Sequence, residues 1–140
     1  MANTFRCDLV SSEREIYSGS VELVVANGIQ GELGITANHS PLLTKLIPGP
    51  IRLKTEKGEE EIYYVSGGFL EVQPHVVTVL ADTALREGDM DEDKAKKAKE
   101  LAQQALSEQS GGGVDYEAAA VRLMNAEAQL RTLKALRGKR

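Results

Sequence analysis

The sequence predicts an α+β chain, with an N-terminal β-sandwich (a flattened barrel of about ten strands) followed by a C-terminal two-helix antiparallel hairpin. Short runs rich in β-branched and aromatic residues recur from Phe5 to about Ala84, separated by regular turn residues. Near Arg86 that rhythm gives way to alanines and leucines at three- and four-residue spacing. Ser110-Gly-Gly-Gly113 then divides the helical part in two. The expected domains are residues 1–86 and 87–140, with helices over about 89–109 and 115–137.

Each element has its own signal. The run from Val21 to Ala26 carries apolar residues at both parities, as a strand covered on both faces would. From Ile51 to Thr55 the pattern alternates, which points Ile51 and Leu53 inward and Arg52 and Lys54 outward. Further strands are expected over 61–66, 68–73 and 75–80. Asn27-Gly28, Pro48-Gly49-Pro50, Lys57-Gly58, Gly67-Gly68 and Pro74 punctuate them. Cys7 alternates with Phe5 and Leu9 and so reads as a small buried hydrophobe. Asp89 followed three residues later by Glu92 forms a helix-start pattern, with the acids Asp91, Glu92 and Asp93 in the first turn. Ala95, Ala98, Leu101, Ala102 and Ala105 would line the first helix. Asp115 would cap the second, with Val114 stapling onto Ala119 and an apolar stripe through Ala119, Leu123, Ala126, Leu130 and Leu133. A seam of alanines buries little area per residue, so the hairpin should lean on its neighbours and could exchange one docking surface for another.

Composition narrows the function. The net charge of −4 offers no global basic field for nucleic acid or an anionic membrane. No apolar run approaches the roughly 20 residues that span a bilayer, and the first residues lack a secretory core, so a soluble cytoplasmic chain is expected. The single cysteine excludes an internal disulfide. The segment 114–140 is locally positive, with six Lys and Arg against three Asp and Glu. Arg122, Arg131, Lys134, Arg137, Lys139 and Arg140 suit either the helix dipole or an acidic protein partner. No aromatic residues interleave with them for base stacking, so nucleic acid is not expected.

Catalytic chemistry is missing from the pattern. The glycines 28, 31 and 34 have the wrong spacing for a dinucleotide loop, and Asn38-His-Ser-Pro41 follows instead of a helix, so they read as turns between strands. There is no Gly-Lys-Ser/Thr. His39 and His75 lie far from Cys7 and from each other, which gives no metal-ligand spacing. His39 suits either a loop hydrogen bond or a contact role, and His75 a solvated turn. An enzyme with a hidden site and a free-standing interaction module are the rival classes. Hydrolase screening and co-purification separate them from the reading that follows.

Specific stretches carry a resemblance. Gly31-Glu-Leu-Gly-Ile35, Asn38-His-Ser-Pro-Leu-Leu-Thr44, Pro48-Gly-Pro-Ile-Arg52, Ser66-Gly-Gly-Phe-Leu-Glu-Val-Gln-Pro74 and Val77-Thr-Val-Leu-Ala-Asp-Thr-Ala84 are together similar to the epsilon-subunit family of bacterial F-type ATP synthases. The resemblance covers essentially the whole chain. It implies a non-catalytic rotor subunit of the central stalk, placed beside the gamma subunit on the c-ring. It also implies a peripheral location on the cytoplasmic side of the inner membrane, without insertion. Gly31, Glu32, Leu33, Gly34, His39 and Pro41 would form the loop that faces the c-ring. The hairpin would inhibit ATP hydrolysis when extended, with Arg122, Arg131, Lys134 and Arg137 meeting alpha and beta subunits. The alternative within the family is a purely structural coupler. Some relatives bind ATP through an apolar-Asp-x-x-Arg-Ala motif. Here the motif positions read Asp91, Lys94 and Ala95, and Ala118 and Asn125 stand where arginines would be. Lysine lacks the bidentate fork of arginine, so no cofactor is expected and ATP binding should be weak or absent.

Overall fold

A computed structural model describes residues 3–108 and 114–139, with side chains over 3–108 and 116–138. The chain runs through nine strands: β1 Phe5–Ser11, β2 Glu15–Gly28, β3 Gly31–Ile35, β4 Leu42–Leu46, β5 Gly49–Thr55, β6 Glu60–Val65, β7 Gly68–Val72, β8 Val76–Ala81 and β9 Ala84–Leu85. A 3₁₀ turn at Glu87–Asp89 leads into α1 Glu92–Glu108, and α2 spans Val114–Lys139. The hydrogen-bonded path β1-β8-β7-β4-β2 closes on itself through the β1–β2 pair, and β5, β6 and β9 continue outward from β2. The result is a flattened barrel.

The resemblance implies about ten strands, and nine are present among the described residues. The long strand β2 serves two neighbourhoods. Its first half pairs with β1, and its second half pairs with β3 and β5. A register irregularity between Val21 and Leu23 joins the halves. That bulge corrects the reading of Val21–Ala26 as uniformly two-faced. Val21 points inward before the irregularity, and Val24 and Ala26 point inward after it, so the inward parity changes within one strand. β6 is the strand buried on both faces: Tyr63 and Val65 join the barrel core, whereas Ile62 and Tyr64 are buried outside it.

The core follows the alternation read from sequence. Phe5, Cys7 and Leu9 on β1 meet Val77 and Val79 of β8, Leu70 and Val72 of β7, and Ile51 and Leu53 of β5. Burial raises the Cys7 thiol from 9.0 to about 12, with the adjacent Asp8 carboxylate adding to the effect. Burial likewise raises the Tyr64 hydroxyl from 10.0 to about 12, offset in part by a Gln129 hydrogen bond and the Arg131 charge. Both groups are neutral when protonated, so folding favours the protonated forms. Their contribution is complete below the unfolded values, 9.0 and 10.0, and is lost as pH climbs towards about 12. Urea midpoints should therefore hold steady near pH 8 and fall steadily above about pH 9.5, and Cys7→Ala should flatten the first part of that decline.

α1 begins at Glu92, and its cap is Asp91, not Asp89. The Asp91 Oδ1 accepts the Lys94 backbone N–H at 3.1 Å. Asp89 is already engaged: its carboxylate accepts the Arg86 backbone N–H at 3.2 Å and pairs with Arg14 at 3.2 Å, closing the preceding turn. Extended backbone at Met90 then separates that turn from the helix. Ala95 and Ala102 are buried as expected, whereas Leu101 is 66% exposed and lies at the rim of the helix–helix contact. The glycine break Ser110–Gly113 lies outside the described residues, as do the side chains of Val114 and Asp115 that were expected to staple and cap α2.

Candidate functional site: the hairpin docked on the sandwich

The helices lie folded against the barrel, with α2 in the middle. One side of α2 faces α1. The other covers β5 and β6. On the α1 side Ala119 and Ala126 are buried, and Leu123, Leu130 and Leu133 half-buried. Sequence reasoning missed the second face. Ala128, Thr132 and Leu136 are buried, and the Thr132 hydroxyl satisfies itself on the Ala128 carbonyl at 2.8 Å. Below them the Tyr64 hydroxyl donates to Asn125 Oδ1 at 3.4 Å. The available signal was the scatter of alanines over all sides of α2, the composition of a helix contacted from more than one direction.

The four predicted basic contact residues are dispersed along α2. Arg122 is exposed beside a cavity of about 330 Å³ between the helices, and among the described residues is the one charged side chain lining it. Arg131 reaches across to the Pro48 carbonyl at 3.4 Å. Arg137 pairs with Glu92, tying the end of α2 to the start of α1. Lys134 is exposed in a second cleft, of about 490 Å³, between α2 and the barrel. Asp91 is committed to its cap, Lys94 is exposed, and Ala95 is buried.

The loop residues also have distinct positions. Gly31, at φ +130°, opens β3 opposite Gly28 and is exposed. Glu32 and Gly34 are exposed, and Leu33 packs against the core. Glu32 lines the same cleft as Arg52, Arg131 and Lys134, which the sequence had not brought together. The His39 Nδ1 lies 2.7 Å from the Ser40 carbonyl, and Pro41 is exposed. On another face of the barrel, Phe69 of β7 sits directly opposite Leu80 of β8; Phe69 is 49% and Leu80 48% exposed. Leu43 on neighbouring β4 is 66% exposed. No group of three or more metal-ligating side chains occurs among the described residues. Among the same residues no helix is long and apolar enough to cross a membrane.

A sandwich, a two-helix arm and the ordered loop motifs together match known families over nearly the whole chain. The model described as the ATP synthase delta/epsilon chain beta-sandwich domain matches residues 4–87. The corresponding long alpha-helix domain matches residues 89–134. The chain belongs to the ATP synthase epsilon-chain family. It is 57% identical over 137 residues to the ATP synthase epsilon chain of Teredinibacter turnerae, covering 98% of this chain and 97% of that one. The counterpart from Chromohalobacter salexigens is 54% identical over 136 residues, covering 97% and 96%. A chain of the Euglena gracilis mitochondrial ATP synthase, solved as an OSCP/F1/c-ring assembly, superposes with a TM-score of 0.74 at 25% identity, covering 96% of this chain and 80% of that one. A chain of the Tetrahymena thermophila central stalk and c-ring shares the fold, with a TM-score of 0.60 at 16% identity over 92% of this chain and 96% of that one. The chain is accordingly a non-catalytic, epsilon-type subunit of ATP synthase.

Proposed function

We propose that this subunit sits in the central stalk on the cytoplasmic side of the inner membrane, fixes gamma to the c-ring, and restrains ATP hydrolysis through its hairpin. The observation that carries the reading is the make-up of the docking interface. Ala128 and Thr132 contribute little apolar area, so Tyr64, Ile62 and Leu136 supply most of what holds α2 on the barrel. An arm held by so few large side chains is suited to leave and return. On leaving, Arg131 and Arg137 give up Pro48 and Glu92 and become available, with Arg122 and Lys134, to acidic surface on alpha and beta subunits.

The sandwich supplies the fixed contacts in this proposal. The loop holding Glu32, His39 and Pro41 faces the c-ring. The patch of Leu43, Phe69 and Leu80 receives gamma, because neighbouring exposed apolar side chains on a barrel face are a feature of protein interfaces. Leu80→Glu is expected to weaken binding to gamma by at least about tenfold while leaving the melting temperature nearly unchanged, since the side chain is half in solvent. Pull-down and thermal melting together check this. Nucleotide plays at most a weak part, because among the described residues Arg122 is the one cation that would face a triphosphate in the interhelical cavity. Nucleic acid and membrane insertion play none.

The deciding experiment measures ATP hydrolysis by a catalytic head depleted of the native subunit. The full chain, or a version ending at Gly88, is added back. Suppression by the full chain alone, with both versions bound, supports the brake. Binding of both without suppression leaves coupling as the whole function, and binding of neither sinks the placement in the stalk.

A further inference from the structure

We propose that the outer face of β1, β8, β7 and β4 selects its partner by charge as well as by apolar contact: gamma presents an apolar ridge flanked by a carboxylate that meets Lys45 and a cation that meets Asp82. The inference rests on the reading of this face as the seat of gamma, and adds the chemistry that gamma must bring to it. The register aligns one row across four strands. Val10 stands beside Leu80, Leu80 beside Phe69, and Phe69 beside Lys45. Three apolar side chains therefore run into a single exposed cation. Next to Leu80 a groove of about 420 Å³ lies between the end of β1 and the β7–β8 pair, deep enough to take an apolar anchor. Among the described residues Asp82 is the one charged side chain lining it. Phe69 lies on the strand between β4 and β8, so the two opposite charges flank it.

The adjacent row of the same face makes the contrast. Asp8, Thr78 and Glu71 follow one another across β1, β8 and β7. Asp8 is paired with Arg6 and accepts the Ser18 hydroxyl at 2.7 Å, and Glu71 accepts the Gln73 side-chain amide at 3.0 Å. Lys45 and Asp82 have no ion-pair partner among the described residues. In water a lone exposed charge is nearly free of cost. Covering the half-exposed Phe69 and Leu80 changes that, because the same contact strips water from the charges at their edges. A surface without a carboxylate over Lys45 and a cation over Asp82 is then penalised, which is how charge supplies specificity. The opposite signs also set direction. A bare apolar strip would accept a ridge either way round, whereas here a reversed partner sets like charges against each other.

The test follows association of the full chain with the catalytic head depleted of its native subunit, at low and at high salt. Lys45→Gln and Asp82→Asn should each weaken binding about fivefold at low salt, chiefly by slowing association, and should flatten its salt dependence. Lys45→Glu should weaken it at least about twentyfold, with an unchanged melting temperature because the side chain is exposed. Lys57→Gln, which removes an exposed cation at the far β5–β6 turn, should change nothing. Equal losses in the Lys45→Gln and Lys57→Gln variants would overturn the proposal, as would native binding by Lys45→Glu. Leu80→Glu separates the two levels of the argument. If it weakens binding while the Lys45 and Asp82 variants do not, gamma sits here without reading charge. If it too binds as the native chain does, the seat itself is elsewhere. Sedimentation of the isolated chain covers the remaining occupant: self-association that Lys45→Glu abolishes would assign the face to a second copy and overturn the assignment to gamma.

Discussion

Gly68→Ala is expected to lower the thermal midpoint of the barrel by roughly 15 °C, or to leave the chain unable to fold, on an estimated loss of at least about 3 kcal/mol. Gly68 opens β7, where it pairs with both Leu46 and Ala81. Its φ is +133°, a region that side-chain-bearing residues avoid. A Cβ at that position would lie 2.0 Å from the Leu80 carbonyl oxygen and 2.9 Å from the Ala81 Cα. Both obstacles are backbone, so no side-chain rotation relieves them, and β7 and β8 would have to separate. Gly31 makes the instructive contrast. It also has positive φ, at +130°, but a Cβ there meets nothing within 4 Å. Gly31→Ala should cost only the conformational penalty of about 1–2 kcal/mol, and calorimetry on the pair separates strain from collision. Equal melting temperatures for the two variants would mean that the β7–β8 approach is softer than the geometry implies.

Much of this architecture was legible because it rests on short-range patterns. The alternation at Ile51 and Leu53, the inward placement of Cys7, and the switch to helical spacing after Arg86 each follow from one strand or one helix read alone. The features that went unread depend on what lies opposite. The bulge near Val21 changes which parity faces inward, and nothing in the run of valines announces it. Asp89 and Asp91 are equivalent as caps on paper; Arg14, distant in sequence, occupies the first and leaves the second to the helix. The same holds for the candidate site. The basic residues were visible, but their separation into an interhelical cavity, a carbonyl contact, a terminal ion pair and a shared cleft depends on the face of α2 that meets the barrel.

That second face is where Tyr64→Ala should act. Tyr64 is 1% exposed yet lies outside the barrel core cluster, on the side of β6 covered by α2. Truncating a buried aromatic typically costs about 3–5 kcal/mol. Here the loss falls chiefly on docking, because the ring fills the space between strand and helix. Amides of α2 from about Asn125 to Leu136 should therefore exchange roughly a hundredfold faster, while those of β1 and β8 remain protected. Tyr64→Phe keeps the ring and removes only the hydroxyl's contacts to Asn125 and Gln129, so its cost should be about 1 kcal/mol. If the hairpin is the proposed brake, the alanine variant favours the extended arm and should suppress hydrolysis more strongly than the native chain. Faster α2 exchange with unchanged hydrolysis would separate the two ideas: docking would be real, but release of the arm would not govern the motor. Unchanged exchange would instead mean that Ala128, Thr132 and Leu136 hold the helix without the ring, and the small-residue face would then be the stronger part of the interface.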